Sequence, residues 1–92
     1  MTVQRQVEVR FFAALREQLQ CTGLVLDLTP DVVTVGQLRA LLLARNPDWA
    51  AAFSRDRPLR MAYQQIMCDD TQLLDPSAPR HEVAFFPPVT GG

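Results

Sequence analysis

One stretch of this chain can form a helix long enough to cover a sheet, and the rest must be arranged around it. Thr34 opens that stretch: Thr34 and Gln37 have the T-x-x-Q spacing of a capping box, which satisfies amide donors left free in a helix's first turn. Val35, Leu38, Leu41, Leu42 and Arg45 then recur at three-to-four spacing. This predicts a leucine stripe facing a sheet, with Arg39 and Arg45 in solvent. Asn46-Pro47 closes the helix, because a residue before proline avoids helical backbone angles. The predicted helix covers about 34–46.

The flanking segments alternate. Val7, Val9 and Phe11 fall on one side of a strand, and Glu8, Arg10 and Phe12 on the other. AALREQLQ, residues 13–20, reads as a short helix of good helix formers, and GLVLDL after Gly23 restarts the alternation with Leu24, Leu26 and Leu28 inward. Around 48–53, DWAAAF predicts one more helical turn, with Asp48 capping and Trp49 and Phe53 packing down. Arg55 to Pro58 is a polar connection, and Leu59 to Met67 reads as a further strand. Turn residues gather at Asp69-Asp70, a loop holds Pro76 and Pro79, and a last strand runs from Glu82 to Phe86. Short strands around one long helix make an α+β pattern. The economical solution is a ubiquitin-like β-grasp: a mixed sheet of about four to five strands with the helix on one face. A ferredoxin-like split βαβ needs a second long helix, for which DWAAAF is too short.

With 92 residues the chain makes one domain, expected over 1–86, followed by a tail at 87–92. A formal charge of −1 gives no general attraction to nucleic acid or anionic membrane. No apolar run approaches membrane-spanning length and the start lacks a signal-peptide layout, so a cytoplasmic location is expected. Cys21 and Cys68 have no CxxC partner and read as incidental reduced thiols. His81 stands alone, so no metal site is expected, and no phosphate-cradling glycine loop is present. Asp69-Asp70 reads as a solvated turn, and neither Ser54 nor Thr90 has a base to activate it. The body offers no catalytic constellation, which leaves the tail.

With the end of the last strand, the tail reads FFPPVTGG, residues 85–92. By strand parity Phe12 and Phe86 each follow a core-facing Phe and point to the other side of the sheet. A β-grasp makes the first and last strands neighbours, so the two rings should meet on the outer face as an aromatic patch for a partner, unless a loop or bulge covers them. Pro87 and Pro88 fix two successive φ angles and favour an extended rod. Val89 and Thr90 extend it, and Gly91 and Gly92, with no β-carbon, can enter a narrow slot.

VEVRFFAALRE, VTVGQLRALL and above all EVAFFPPVTGG resemble the ubiquitin-like sulfur-carrier family, in particular the small subunits of molybdopterin synthases. The resemblance spans nearly the whole chain. It implies that an E1-like adenylyltransferase uses ATP to adenylate Gly92, that a sulfur donor protein converts it to a thiocarboxylate, and that the chain itself binds no cofactor. It implies a large synthase subunit, in a heterotetramer, that takes the Pro87–Gly92 tail and uses its sulfur to build the dithiolene on cyclic pyranopterin monophosphate. It also adds Met67, at a position often apolar and partner-facing, to the patch. The chain departs from the family pattern at Tyr63-Gln64-Gln65 and at DPSAPRH, a longer loop without glycine. A thiamine-type sulfur carrier and a ubiquitin-like protein modifier share the tail chemistry. All nine basic residues are arginine, so the chain could not build lysine-linked polymers of itself.

Overall fold

The computed structural model describes residues 5–53 and 59–87. Along the chain these form β1 (Arg5–Phe11), α1 (Ala13–Leu19), β2 (Gly23–Leu28), α2 (Val35–Arg45), a 3-10 turn (Pro47–Trp49), α3 (Ala50–Phe53), β3 (Arg60–Tyr63), β4 (Ile66–Cys68) and β5 (Arg80–Phe86). One five-stranded sheet has the order β2-β1-β5-β3-β4. β1 and β5 pair in parallel, with Phe11 opposite Phe85, and the other pairings are antiparallel. This is the ubiquitin-like β-grasp that the sequence pattern predicts.

Alternation decides which face is buried. Val7, Val9 and Phe11 from β1 join Val83 and Phe85 from β5 and Met61 and Tyr63 from β3. Val35, Leu38 and Leu42 of α2 complete the core from above the sheet. Phe11, Phe53 and Phe85 form its aromatic centre: the Phe53 ring meets Phe11 and Phe85 edge-on at 6.0 and 5.3 Å, and Trp49 meets Phe11 at 5.4 Å. Edge-to-face contacts of this kind favour the ring quadrupoles as well as burying area.

The α2 start is capped twice. Thr34 Oγ1 accepts from the Gln37 amide at 3.1 Å, while Gln37 Oε1 accepts from the Thr34 and Val33 amides, as the capping box requires. The β4–β5 loop then supplies the Gln72 and Asp70 carbonyls to the Val35 and Gly36 amides. That loop is therefore part of the helix's hydrogen bonding.

Three expectations are corrected. The stretch read as one strand from Leu59 to Met67 is a hairpin, turned at Gln64 and Gln65 with φ of 49° and 67°. Both turn residues are left-handed, as a tight two-residue hairpin needs, without the Asn-Gly that normally signals one. Arg39 is not in solvent: its side chain is only 11% exposed, donates to the Phe53 carbonyl at 2.9 Å and pairs with Asp70 at 3.5 Å. Asp48 does not cap the turn; Asn46 holds the cap position, with Pro47 starting the turn. Proline needs no amide partner there. The tail residues 88–92, Pro88, Val89, Thr90, Gly91 and Gly92, and the whole of the 55–58 connection lie outside the described residues.

Candidate functional site

The outer sheet face is built by the side chains that strand parity turns away from α2. Arg10 of β1, Ala84 of β5, Ala62 of β3 and Met67 of β4 stand in one row across four strands. Ala84 and Ala62 are buried and form a small-residue floor, while Met67 is 56% exposed at its edge. Above this row lie Phe12, Phe86 and Arg60, the last directly opposite Phe86.

Phe12 and Phe86 are stacked, ring centroids 4.9 Å apart and planes within 12°. The backbone brings them together. The Phe12 amide donates to the Phe85 carbonyl at 3.2 Å, carrying the parallel ladder one residue past β1. Ala13 then adopts φ 55°, a left-handed conformation that costs an alanine about 1 kcal/mol. This reversal sends α1 toward the core, where Leu15 and Leu19 are buried, while Phe12 stays on the outer face. Pro87 follows Phe86 directly, so the stack marks the root of the tail.

Charge is distributed unevenly around the stack. Arg10 is held by Glu8 at 3.0 Å and lies 3.9 Å from Glu82. Arg60 and Arg16 have no ion pair among the described residues. Arg16 shares with Phe12, Arg10, Thr22 and Val25 a shallow cleft of 420 Å³ beside the stack. The apolar end of the face is thus bordered by cations, and the opposite end, with Gln6, Glu82 and Arg80, is polar.

His81, isolated in the sequence, is buried on the core face of the sheet, two residues before Val83 on β5. The Asp75 amide donates to Tyr63 Oη at 2.8 Å, and the same hydroxyl shares a 2.7 Å hydrogen bond with His81 Nδ1. The other ring nitrogen, Nε2, has no hydrogen-bond partner among the described residues. Burial and the nearby Arg5 charge push the imidazole pKa below the usual value, against the pull of Asp75. Sequence reading missed this trio because its members come from β3, β5 and the loop between β4 and β5. Among the described residues no three His, Cys, Asp or Glu side chains gather as a ligand set. Cys21 and Cys68 are free, and burial with the Asp69 charge raises the Cys68 pKa, which keeps that thiol protonated. No helix among the described residues is long and apolar enough to cross a membrane.

Phe12, Phe86 and Met67 thus share one face, with Pro87 at its edge. Gln64 explains how the Tyr63-Gln64-Gln65 departure is accommodated. Its amide and side chain bond to Glu82 and its Nε2 to the Arg80 carbonyl, extending the β3–β5 ladder into the turn.

The sequence and the fold are both similar to those of known proteins. The chain is 36% identical over 86 residues to the molybdopterin synthase sulfur carrier subunit of Escherichia coli (strain K12), covering 94% of this chain and 99% of that protein. The protein of the same name from Haemophilus influenzae is 31% identical over the same shares. The crystal structure of SAMP1 from Haloferax volcanii superposes with a TM-score of 0.73 at 25% identity, covering 95% of this chain and 99% of that one. The ThiS family model matches residues 9–92, from within β1 through the last residue of the tail, so the chain belongs to the ThiS family.

Proposed function

We propose that this chain is the sulfur carrier of a molybdopterin synthase, and that its chemistry resides on Gly92. The observation that carries the reading is the Phe12–Phe86 stack at the root of the tail: an aromatic platform on the sheet face turned away from α2, directly before Pro87. Such a platform fixes a partner's position relative to the tail, and position is what a carrier must control. The kinship with two curated sulfur carrier subunits supplies the chemical class.

The Gly92 carboxylate is a poor electrophile. An E1-like enzyme joins it to the α-phosphate of ATP, releasing pyrophosphate, and the acyl-adenylate then has AMP as a good leaving group. A sulfur donor displaces AMP and leaves a thiocarboxylate. The large subunit receives the tail, with Pro87 to Thr90 as the stiff arm and Gly91-Gly92 as the slim tip. The thiocarboxylate sulfur attacks cyclic pyranopterin monophosphate in a site that the large subunit provides. The chain acts as cosubstrate and carrier, in keeping with a body that has no catalytic grouping among its described residues. In a heterotetramer, two such chains would serve two large subunits.

The deciding experiment is a reconstituted synthase assay with a chain lacking Gly92. Loss of molybdopterin formation with an unchanged melting temperature is expected, because Gly92 lies beyond the last core residue, Phe85. Undiminished synthesis by the shortened chain overturns the reading.

A further inference from the structure

An activated glycyl end is dangerous to its own carrier. A lysine ε-amine attacks an acyl-adenylate at the carbonyl carbon: a C–N amide bond forms, the C–O bond to phosphate breaks, AMP departs and the amine proton goes to solvent. The result is a dead-end amide, circular within one chain or joining two. Five residues follow Pro87, giving the tip a reach of at most about 17 Å from the tail root. Arg60 stands opposite Phe86, Arg10 opposite Ala84, and Arg16 beside Phe12, all close to that root. These are the positions from which an amine would capture the tip in cis.

We infer that the arginine-only surface around the Phe12–Phe86 stack serves to give the docking face positive charge while withholding every side-chain amine from the activated terminus. Guanidinium stays protonated and has no nucleophilic lone pair to offer, whereas about 1% of lysine amines are free base at pH 8.5. No lysine occurs anywhere in the sequence, so the protection extends to encounters between two carriers. The inference rests on the proposed activation of Gly92.

Arg60→Lys and Arg16→Lys test it, each a surface change that keeps the charge. Each variant and the parent chain are incubated at pH 8.5 with the activating enzyme and ATP, without a sulfur donor, and followed by pyrophosphate release and intact mass. The parent is expected to release pyrophosphate and keep its mass. At least one lysine variant is expected to accumulate a species one water lighter than the chain, or one at twice the chain mass less one water. If both variants release pyrophosphate at the parent's rate yet form no amide, or if the parent forms amides as fast, the inference is wrong. If the parent releases no pyrophosphate, the activation reading falls and this inference falls with it.

Discussion

Phe12 and Phe86 stack face to face at 4.9 Å because two core phenylalanines, Phe11 and Phe85, sit opposite each other in a parallel ladder. Each outer ring follows a buried one by a single residue. The four rings therefore divide into an inner pair that holds the fold and an outer pair available to a partner.

That division predicts two classes of variant. Phe12→Ala or Phe86→Ala should weaken capture by the large subunit by roughly tenfold, or about 1.5 kcal/mol, since each ring is already partly covered by the other. Phe11→Ala or Phe85→Ala should instead cost about 3–5 kcal/mol of stability. Calorimetric affinity together with thermal unfolding separates the classes. An outer-ring variant that melts early yet binds normally would reverse the assignment.

The tail root makes a second prediction. Replacing Pro87 and Pro88 with glycine should leave adenylation of Gly92 possible but weaken binding to the large subunit. Each freed residue must be ordered on docking, at about 1–2 kcal/mol. Titration calorimetry with equal affinities for the two chains would show that the stiffness contributes nothing.

A third concerns acid. Because burial and Arg5 hold His81 below its ordinary pKa, the unfolded chain takes up that proton first as pH falls. Stability should be full above about 6.5, decline below it, and level off once pH passes the folded-state value. The groups facing the ring are Tyr63, Asp75 and Arg5. His81→Gln should remove this slope. Asp31, Asp69 and Asp75, each lowered by side-chain and backbone hydrogen bonds, lose their stabilisation in a separate window below the ordinary carboxylate value of 3.8. Chemical denaturation at pH 5 and pH 7.5 measures the first window alone, and equal free energies at the two values would refute it.

Gly23 gives a fourth. A Cβ there would strike the Val9 carbonyl oxygen across the β1–β2 ladder and touch Arg10 Cα, and both contacting groups belong to backbone. Gly23→Ala should cost about 1–3 kcal/mol by forcing the edge strand outward. A midpoint of denaturation unchanged from the parent would show that the strand yields freely.

The elements visible in the sequence were those whose signals are local. Thr34 and Gln37 are three residues apart, so the capping box and the helix it opens could be read directly. The parity of Phe12 and Phe86 required only strand alternation and the adjacency of the first and last strands. What escaped depended on distant partners or unusual turn residues. Arg39 is drawn down by the Phe53 carbonyl and Asp70, and His81 by Tyr63 and Asp75. Gln64 and Gln65 adopt a hairpin turn that glutamine rarely signals, held by the side-chain bonds of Gln64 to β5. The proposed tip chemistry rests on family kinship, since diglycine carries no side chain from which to read a role.

β5 is the last strand to be synthesised, yet it lies in the middle of the sheet, between β1 and β3. No chain that stops before β5 can close that sheet, and none can bring Phe86 against Phe12. A partner that binds the stacked pair would therefore bind a chain folded through β5, and copies that stop short of it or have unravelled would lack the platform. The order of strands thus makes the Phe12–Phe86 pair a mark of a closed sheet rather than of sequence alone.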